Sequence, residues 1–118
     1  MNPVEEIRGL LRKARWSWEG FAAAFRSEKA IRQECLILAV SVLLAVLVPM
    51  SAAELILVLI LPLLMIAVEL LNTALEEVIN HVSPEIHPMA KKAKDCGSAA
   101  VALVGIALAV TWGVILLS

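Results

Sequence analysis

The sequence predicts an all-α integral membrane fold: three transmembrane helices behind an N-terminal amphipathic surface helix. Three observations carry that prediction. Of the 118 residues, 61% are hydrophobic, and the mean hydropathy is +0.89. Soluble domains are about 45–50% apolar, and a soluble core of this size could not hide the excess. Second, the apolar residues fall into three long runs after residue 34. Third, the ten Lys and Arg residues are confined to two segments.

Asn2-Pro3 is a helix start, an N-cap amide followed by proline at the first helical position and by Glu5 and Glu6 in the first turn. Val4, Ile7, Leu11, Ala14, Trp18, Phe21 and Phe25 recur every three or four residues, one apolar stripe. Glu5, Arg8, Arg12, Arg15 and Glu19 fall on other faces. Aromatic residues beside basic ones suit a helix lying in the headgroup plane, over about 3–27. The alternative is an amphipathic helix packed on protein, and the two are compatible.

The first span is expected at about 30–48. Its strictly apolar part is short for a bilayer of about 30 Å, which sets Arg32, Gln33 and Glu34 at its interfacial end. Pro49-Met50-Ser51 makes a tight turn. The second span, about 52–79, contains Pro62, which removes one backbone hydrogen bond in a way membrane helices tolerate. The third is expected at about 97–117, where Gly105, Ala109 and Gly113 repeat every four residues and permit close helix approach. The length suits one domain over 1–118. A three-helix bundle has little interior, so a homo-oligomer is expected. Nothing resembles a signal peptide, no repeat of fixed period is evident, and Cys35 and Cys96 read as small packing residues.

Topology follows from the basic residues. Arg8, Arg12, Lys13, Arg15, Arg26, Lys29 and Arg32 precede the first apolar run; Lys91, Lys92 and Lys94 lie in the second loop. The positive-inside rule sets the N-terminus and residues 80–95 in the cytoplasm and the C-terminus outside.

Glu69, Asn72, Thr73, Glu76 and Asn80 share one face of the second span. A charge inside a bilayer costs at least about 2.5–3.5 kcal/mol, so this stripe is either glue between helices or a functional site. Glu69 lies 15 residues past Glu54, roughly 22 Å from the outer interface at about 1.5 Å per residue. It therefore falls several ångströms below the inner surface of the hydrocarbon core. Glu76, roughly 10 Å further on, reaches headgroup level. One carboxylate can meet a group buried at the membrane boundary, and the other a soluble, charged partner. Residues 85–98 add Glu85, His87, three lysines and Asp95 before a Gly97-Ser98 pair read as a helix start, an arrangement that suits phosphate. On its own it is equally an ordinary positive-inside loop, with His87 as a surface or capping residue.

Val68-Glu69-Leu70-Leu71-Asn72-Thr73-Ala74-Leu75-Glu76 and Ala93-Lys94-Asp95-Cys96-Gly97-Ser98-Ala99-Ala100-Val101 resemble the signature segments of the prokaryotic diacylglycerol kinases. Trp16-Ser17-Trp18-Glu19-Gly20 and Glu28-Lys29-Ala30-Ile31-Arg32-Gln33-Glu34 resemble the N-terminal part of that family. The resemblance implies a homotrimer in the bacterial inner membrane that transfers the γ-phosphate of MgATP to the primary hydroxyl of diacylglycerol, giving phosphatidic acid. It implies Glu69 as general base and Glu28 and Glu76 as holders of Mg2+ and nucleotide. Glu85, His87, Lys94 and Asp95 would line the nucleotide site. Trp16 stands where proteobacterial members commonly have tyrosine, keeping a stacking surface for nucleotide and losing a hydroxyl. Ala14, Trp18, Arg32, Glu34, Ser98 and Trp112 would surround the lipid together with Glu69 and Asn72. The implied partners are membrane lipid, ATP and further copies of the chain, with no nucleic acid.

The chain has no G-x-x-x-x-G-K-[ST] loop and no H-R-D or D-F-G motif. The soluble kinase folds built on those motifs are excluded, and phosphoryl transfer must be assembled from helices. His87-Pro88-Met89-Ala90 is closer to the related undecaprenol kinases, whereas Gly97-Ser98-Ala99-Ala100-Val101 and Trp112 lean towards diacylglycerol. Rival readings are a proton-coupled transporter using an intramembrane glutamate, which would leave Glu28, Glu76 and Lys94-Asp95 unexplained, and a structural adaptor, which would tolerate glutamine at position 69.

Overall fold

Asn2 starts the first helix as its neighbours predict. In the computed structural model, which describes residues 2–118, its side-chain oxygen accepts from Val4 N at 3.0 Å, and Pro3 takes the first helical position. Four helices follow one another: α1 (Pro3–Ser27), α2 (Lys29–Leu47), α3 (Ala52–Val82) and α4 (Pro88–Leu117). Among the described residues there is no strand. α2, α3 and α4 are each long and apolar enough to cross a membrane. The molecule measures 48 × 48 × 25 Å, because α1 projects sideways from the bundle and touches only α2 and α3.

Glu28 alone separates α1 from α2, with extended backbone (φ −111°, ψ 113°). This elbow is tied by Arg32, one turn into α2. Its guanidinium donates to the Phe25 and Arg26 carbonyls at 2.7 and 3.0 Å, two of the groups that a helix C-terminus leaves without partners. At the opposite end, Ser51 and Glu54 form a reciprocal capping box: Ser51 Oγ accepts from Glu54 N at 3.2 Å, and Glu54 Oε1 accepts from Ser51 N at 2.9 Å.

α3 is the central element, packed between α2 and α4. Its buried residues, Val58, Pro62, Ile66, Glu69 and Asn72, recur every three or four positions, so apolar and polar groups share one inward stripe. Pro62 has no N–H to offer the carbonyl four residues earlier, that of Val58. The Ser41 hydroxyl on α2 donates to that oxygen at 2.6 Å, and Trp112 Nε1 on α4 donates to Ser41 Oγ at 3.0 Å. The gap in the α3 ladder thus becomes the point at which all three long helices are joined. Gly105 approaches Met65 Cε, whereas Gly113 meets nothing within 4 Å in the protomer. Cys35 and Cys96 are both free thiols.

Two expectations need correction. α3 runs on to Val82, past residue 79, and α4 begins at Pro88, not near Gly97. The reason is local. His87 Nδ1 accepts from Met89 N at 3.1 Å, Pro88 supplies the first helical position, and Lys91 pairs with Asp95 one turn on at 2.6 Å. The loop between α3 and α4 shrinks to residues 83–87, and Gly97-Ser98 falls in the interior of α4.

Candidate active site

The half of the bundle nearer the α1–α2 elbow carries three polar side chains that its packing buries. Glu34 on α2 is 5% exposed, and Glu69 and Asn72 on α3 are 8% and 9% exposed. They face inward because each falls on the stripe its helix turns towards its neighbours. Asn72 Nδ2 donates to Glu76 Oε1 one turn away at 3.3 Å, and the same amide faces the Glu69 carboxylate. Glu34 and Glu69 are near enough to repel, and Glu28 and Glu76 add further negative charge around Glu69. Glu34 Oε1 and Asn72 Oδ1 are buried without a hydrogen-bond partner. Native proteins seldom leave buried polar atoms unpaired, and such atoms tend to mark strain, catalysis or a missing ligand.

Among the described residues, no Lys or Arg forms an ion pair with these carboxylates. Arg32 is committed to the end of α1. Lys94 Nζ donates to Asn80 Oδ1 at 2.5 Å, and Lys91 is held by Asp95. Among the described residues, no three His, Cys, Asp or Glu side chains converge as a ready-made metal cage. The carboxylates are instead spread over the α1–α2 elbow (Glu28), α2 (Glu34) and α3 (Glu69, Glu76).

Beyond Glu76 a cleft of about 240 Å³ opens between the end of α3 and the start of α4. Glu85, His87, Lys94 and Asp95 all line it, with Asn80 and Lys91. Tertiary structure therefore collects four of the residues singled out for a nucleotide into one polar recess. Asn80 belongs to the polar stripe visible in the sequence, but only the fold shows that it receives Lys94. Lys91 is one of the three loop lysines that the sequence offers equally for phosphate or as ordinary positive-inside residues.

The remaining candidates are distributed more widely. Ala14, Trp16 and Trp18 lie on exposed turns of α1, where Trp18, Phe21 and Phe25 form a row with ring centroids 6.3 and 6.1 Å apart. A largely apolar groove of about 490 Å³ separates the second half of α1, at Ser17, Phe21 and Ala24, from Leu70, Thr73 and Ala74 of α3. Ser98 is exposed on α4, one residue past Gly97. Arg32 sits at the elbow beside Glu28 without pairing with its carboxylate, and Trp112 is far from all four carboxylates. Arg32 serves the elbow, and Trp112 lies fourteen residues beyond Ser98, roughly 21 Å along α4, bonded to Ser41.

Comparison with known proteins places this arrangement. Residues 15–116 match the sequence profile of a family described as prokaryotic diacylglycerol kinase. A diacylglycerol kinase of Pseudomonas aeruginosa is 42% identical over 111 residues, covering 94% of this chain and 90% of that one. The diacylglycerol kinase of Escherichia coli K12 is 35% identical over 117 residues, covering 99% and 96%. That of Haemophilus influenzae is 35% identical over 116 residues, 98% of each chain.

Proposed function

Because the chain belongs to the prokaryotic diacylglycerol kinase family, we propose a division of labour among its carboxylates for moving a phosphoryl group from ATP to a membrane lipid. The chain is a diacylglycerol kinase, a multi-pass membrane enzyme whose product is phosphatidic acid. In the proposed reaction Glu69 is the general base. Its carboxylate takes the proton of the primary hydroxyl of diacylglycerol as that oxygen bonds to the γ-phosphorus. The bond from the γ-phosphorus to the β,γ-bridging oxygen breaks, ADP leaves, and the proton remains on Glu69. The burial of Glu69 on the inward stripe of α3 is the observation that carries this reading.

Phosphoryl transfer depends on positioning and charge neutralisation more than on covalent chemistry. Glu28 and Glu76 would hold Mg2+ with ATP, and their chemistry fits: carboxylate oxygens, completed by phosphate oxygens and water, are what magnesium prefers. Bound there, the ion would offset charge on the transferring phosphate. Glu85, His87, Lys94 and Asp95 would bind the nucleotide, with Trp16 stacking against it; the shared cleft of the first four supports this. Ala14, Trp18, Glu34, Asn72 and Ser98 would contact the lipid, and Arg32 and Trp112 would do so only in addition to the bonds they already make. A homotrimer is what the family resemblance implies and the thin three-helix bundle allows, and the distribution of Lys and Arg supports an inner-membrane protein with its N-terminus and α3–α4 loop in the cytoplasm.

The test is ATP turnover in mixed micelles with diacylglycerol as acceptor. Glu69→Gln should assemble normally and lose roughly 10²- to 10⁴-fold in kcat, the usual contribution of a general base. Unchanged turnover would remove Glu69 from the chemistry. Running undecaprenol in parallel measures acceptor preference.

A further inference from the structure

Glycine is an unfavourable residue inside a helix, and α4 carries three, at positions 97, 105 and 113. Only one of them is demanded by what lies opposite. A Cβ on Gly113 would meet nothing within 4 Å, and one on Gly105 would touch Met65 Cε at 3.3 Å, the mobile end of a flexible side chain. A Cβ on Gly97 would collide with Asn72 Oδ1, while pressing on Asn72 Cγ at 3.1 Å and Leu75 Cδ2 at 3.4 Å. The Asn72 amide oxygen thus lies against the bare Cα of Gly97, and this is the same oxygen that is buried without a hydrogen-bond partner.

We propose that Gly97 is a positioning residue for phosphoryl transfer: its missing side chain is the seat of Asn72, and through Asn72 it sets where Glu69 and Glu76 stand relative to each other. The Asn72 amide is planar, so its two ends move together. With the oxygen seated on α4, Nδ2 is directed to Glu76 Oε1 at 3.3 Å. Any group that displaces the oxygen rotates the amide and withdraws that donor. Glu69 and Glu76 lie one turn to either side of Asn72, three residues before and four after it, and both would lose the group between them. Leu75 closes one side of the seat, and the exposed Ser98 stands outside it. The placement of the proposed base relative to the proposed magnesium ligand is therefore fixed by how closely α4 approaches α3, not by α3 alone. The proposal rests on the roles given above to Glu69 and Glu76.

The experiment uses the full chain in mixed micelles. Gly97→Ala should retain helical content and assembly, lose roughly 10- to 100-fold in kcat, as expected for a displacement of about 1 Å, and need more magnesium for half-maximal rate. Gly105→Ala and Gly113→Ala should stay near the wild-type rate. A thermal-unfolding cycle tests the contact independently of chemistry: Gly97→Ala should lower the unfolding temperature of the wild type but not that of Asn72→Ala. Wild-type kcat and magnesium dependence in Gly97→Ala overturn the proposal, as does equal destabilisation in both backgrounds. Should Gly97→Ala fail to assemble, adding Asn72→Ala must restore assembly; if it does not, the seat is not the reason for the glycine. An active Glu69→Gln enzyme would refute the underlying mechanism instead, leaving the coupling between Gly97 and Asn72 to stand in the unfolding cycle.

Discussion

Two buried polar clusters occupy the same three-helix bundle, and they are finished differently. Towards the α2–α3 turn, Trp112, Ser41 and the Val58 carbonyl form a closed chain of donors and acceptors at 3.0 and 2.6 Å. Towards the α1–α2 elbow, Glu34, Glu69 and Asn72 are buried, yet Glu34 Oε1 and Asn72 Oδ1 have no partner and the neighbouring charges repel. A satisfied network strengthens a fold, and a half-satisfied one weakens it. The difference teaches that burial of a polar group does not by itself signal function. In this molecule the unpaired cluster is where reactants are proposed to complete the bonding.

That contrast can be broken by experiment. The largest expected effect is that of Glu69→Gln, a near-complete loss of turnover with the unfolding temperature preserved or raised, since a charge has been removed from a repelling group. A variant that is inactive only because it is unfolded would collapse the distinction between the clusters. Next come Glu28→Gln and Glu76→Gln, expected to raise the magnesium requirement by about 10- to 100-fold. If both keep the wild-type magnesium response, those carboxylates do not hold the ion.

The cluster near the α2–α3 turn should answer in the opposite way. Ser41→Ala leaves the Val58 carbonyl and the Trp112 N–H unpaired, costing about 1–3 kcal/mol of stability, with turnover in intact protein close to wild type. A large loss of kcat at unchanged stability would show that the Ser41 cluster also serves the reaction. The smallest effect sharpens the cause. Pro62→Ala returns an N–H to the Val58 carbonyl, so in the Ser41→Ala background it should recover about 1 kcal/mol. No recovery would mean that the gap left by Pro62 is not what the Ser41 hydroxyl fills.

How much was legible in the sequence varied with the range of the interaction. The Asn2-Pro3 start and the polar stripe of α3 are local patterns, set by helix periodicity and capping chemistry, and they can be read in order. The beginning of α4 is not legible in the same way, because Gly97-Ser98 looks like a helix start when only adjacent residues are considered, whereas the helix starts at Pro88. The capping of His87 on Met89 and the pairing of Lys91 with Asp95 carry the helix through from Pro88. Arg32 shows a different limit. Its charge is visible, but its bonds run back to carbonyls six and seven residues earlier across an elbow, a geometry no periodic pattern encodes.

By itself the sequence determined that this chain enters a membrane, that three helices cross it and that one face of the second is acidic. Hydrophobicity, basic-residue placement and the 3.6-residue helical period act along the chain. Only the tertiary structure decided that Ser41 meets the carbonyl freed by Pro62, that Glu85, His87, Lys94 and Asp95 share a cleft, and that Asn72 rests on Gly97. Each of these depends on the distance between two helices, which is set by side chains remote in sequence meeting at close-packed contact.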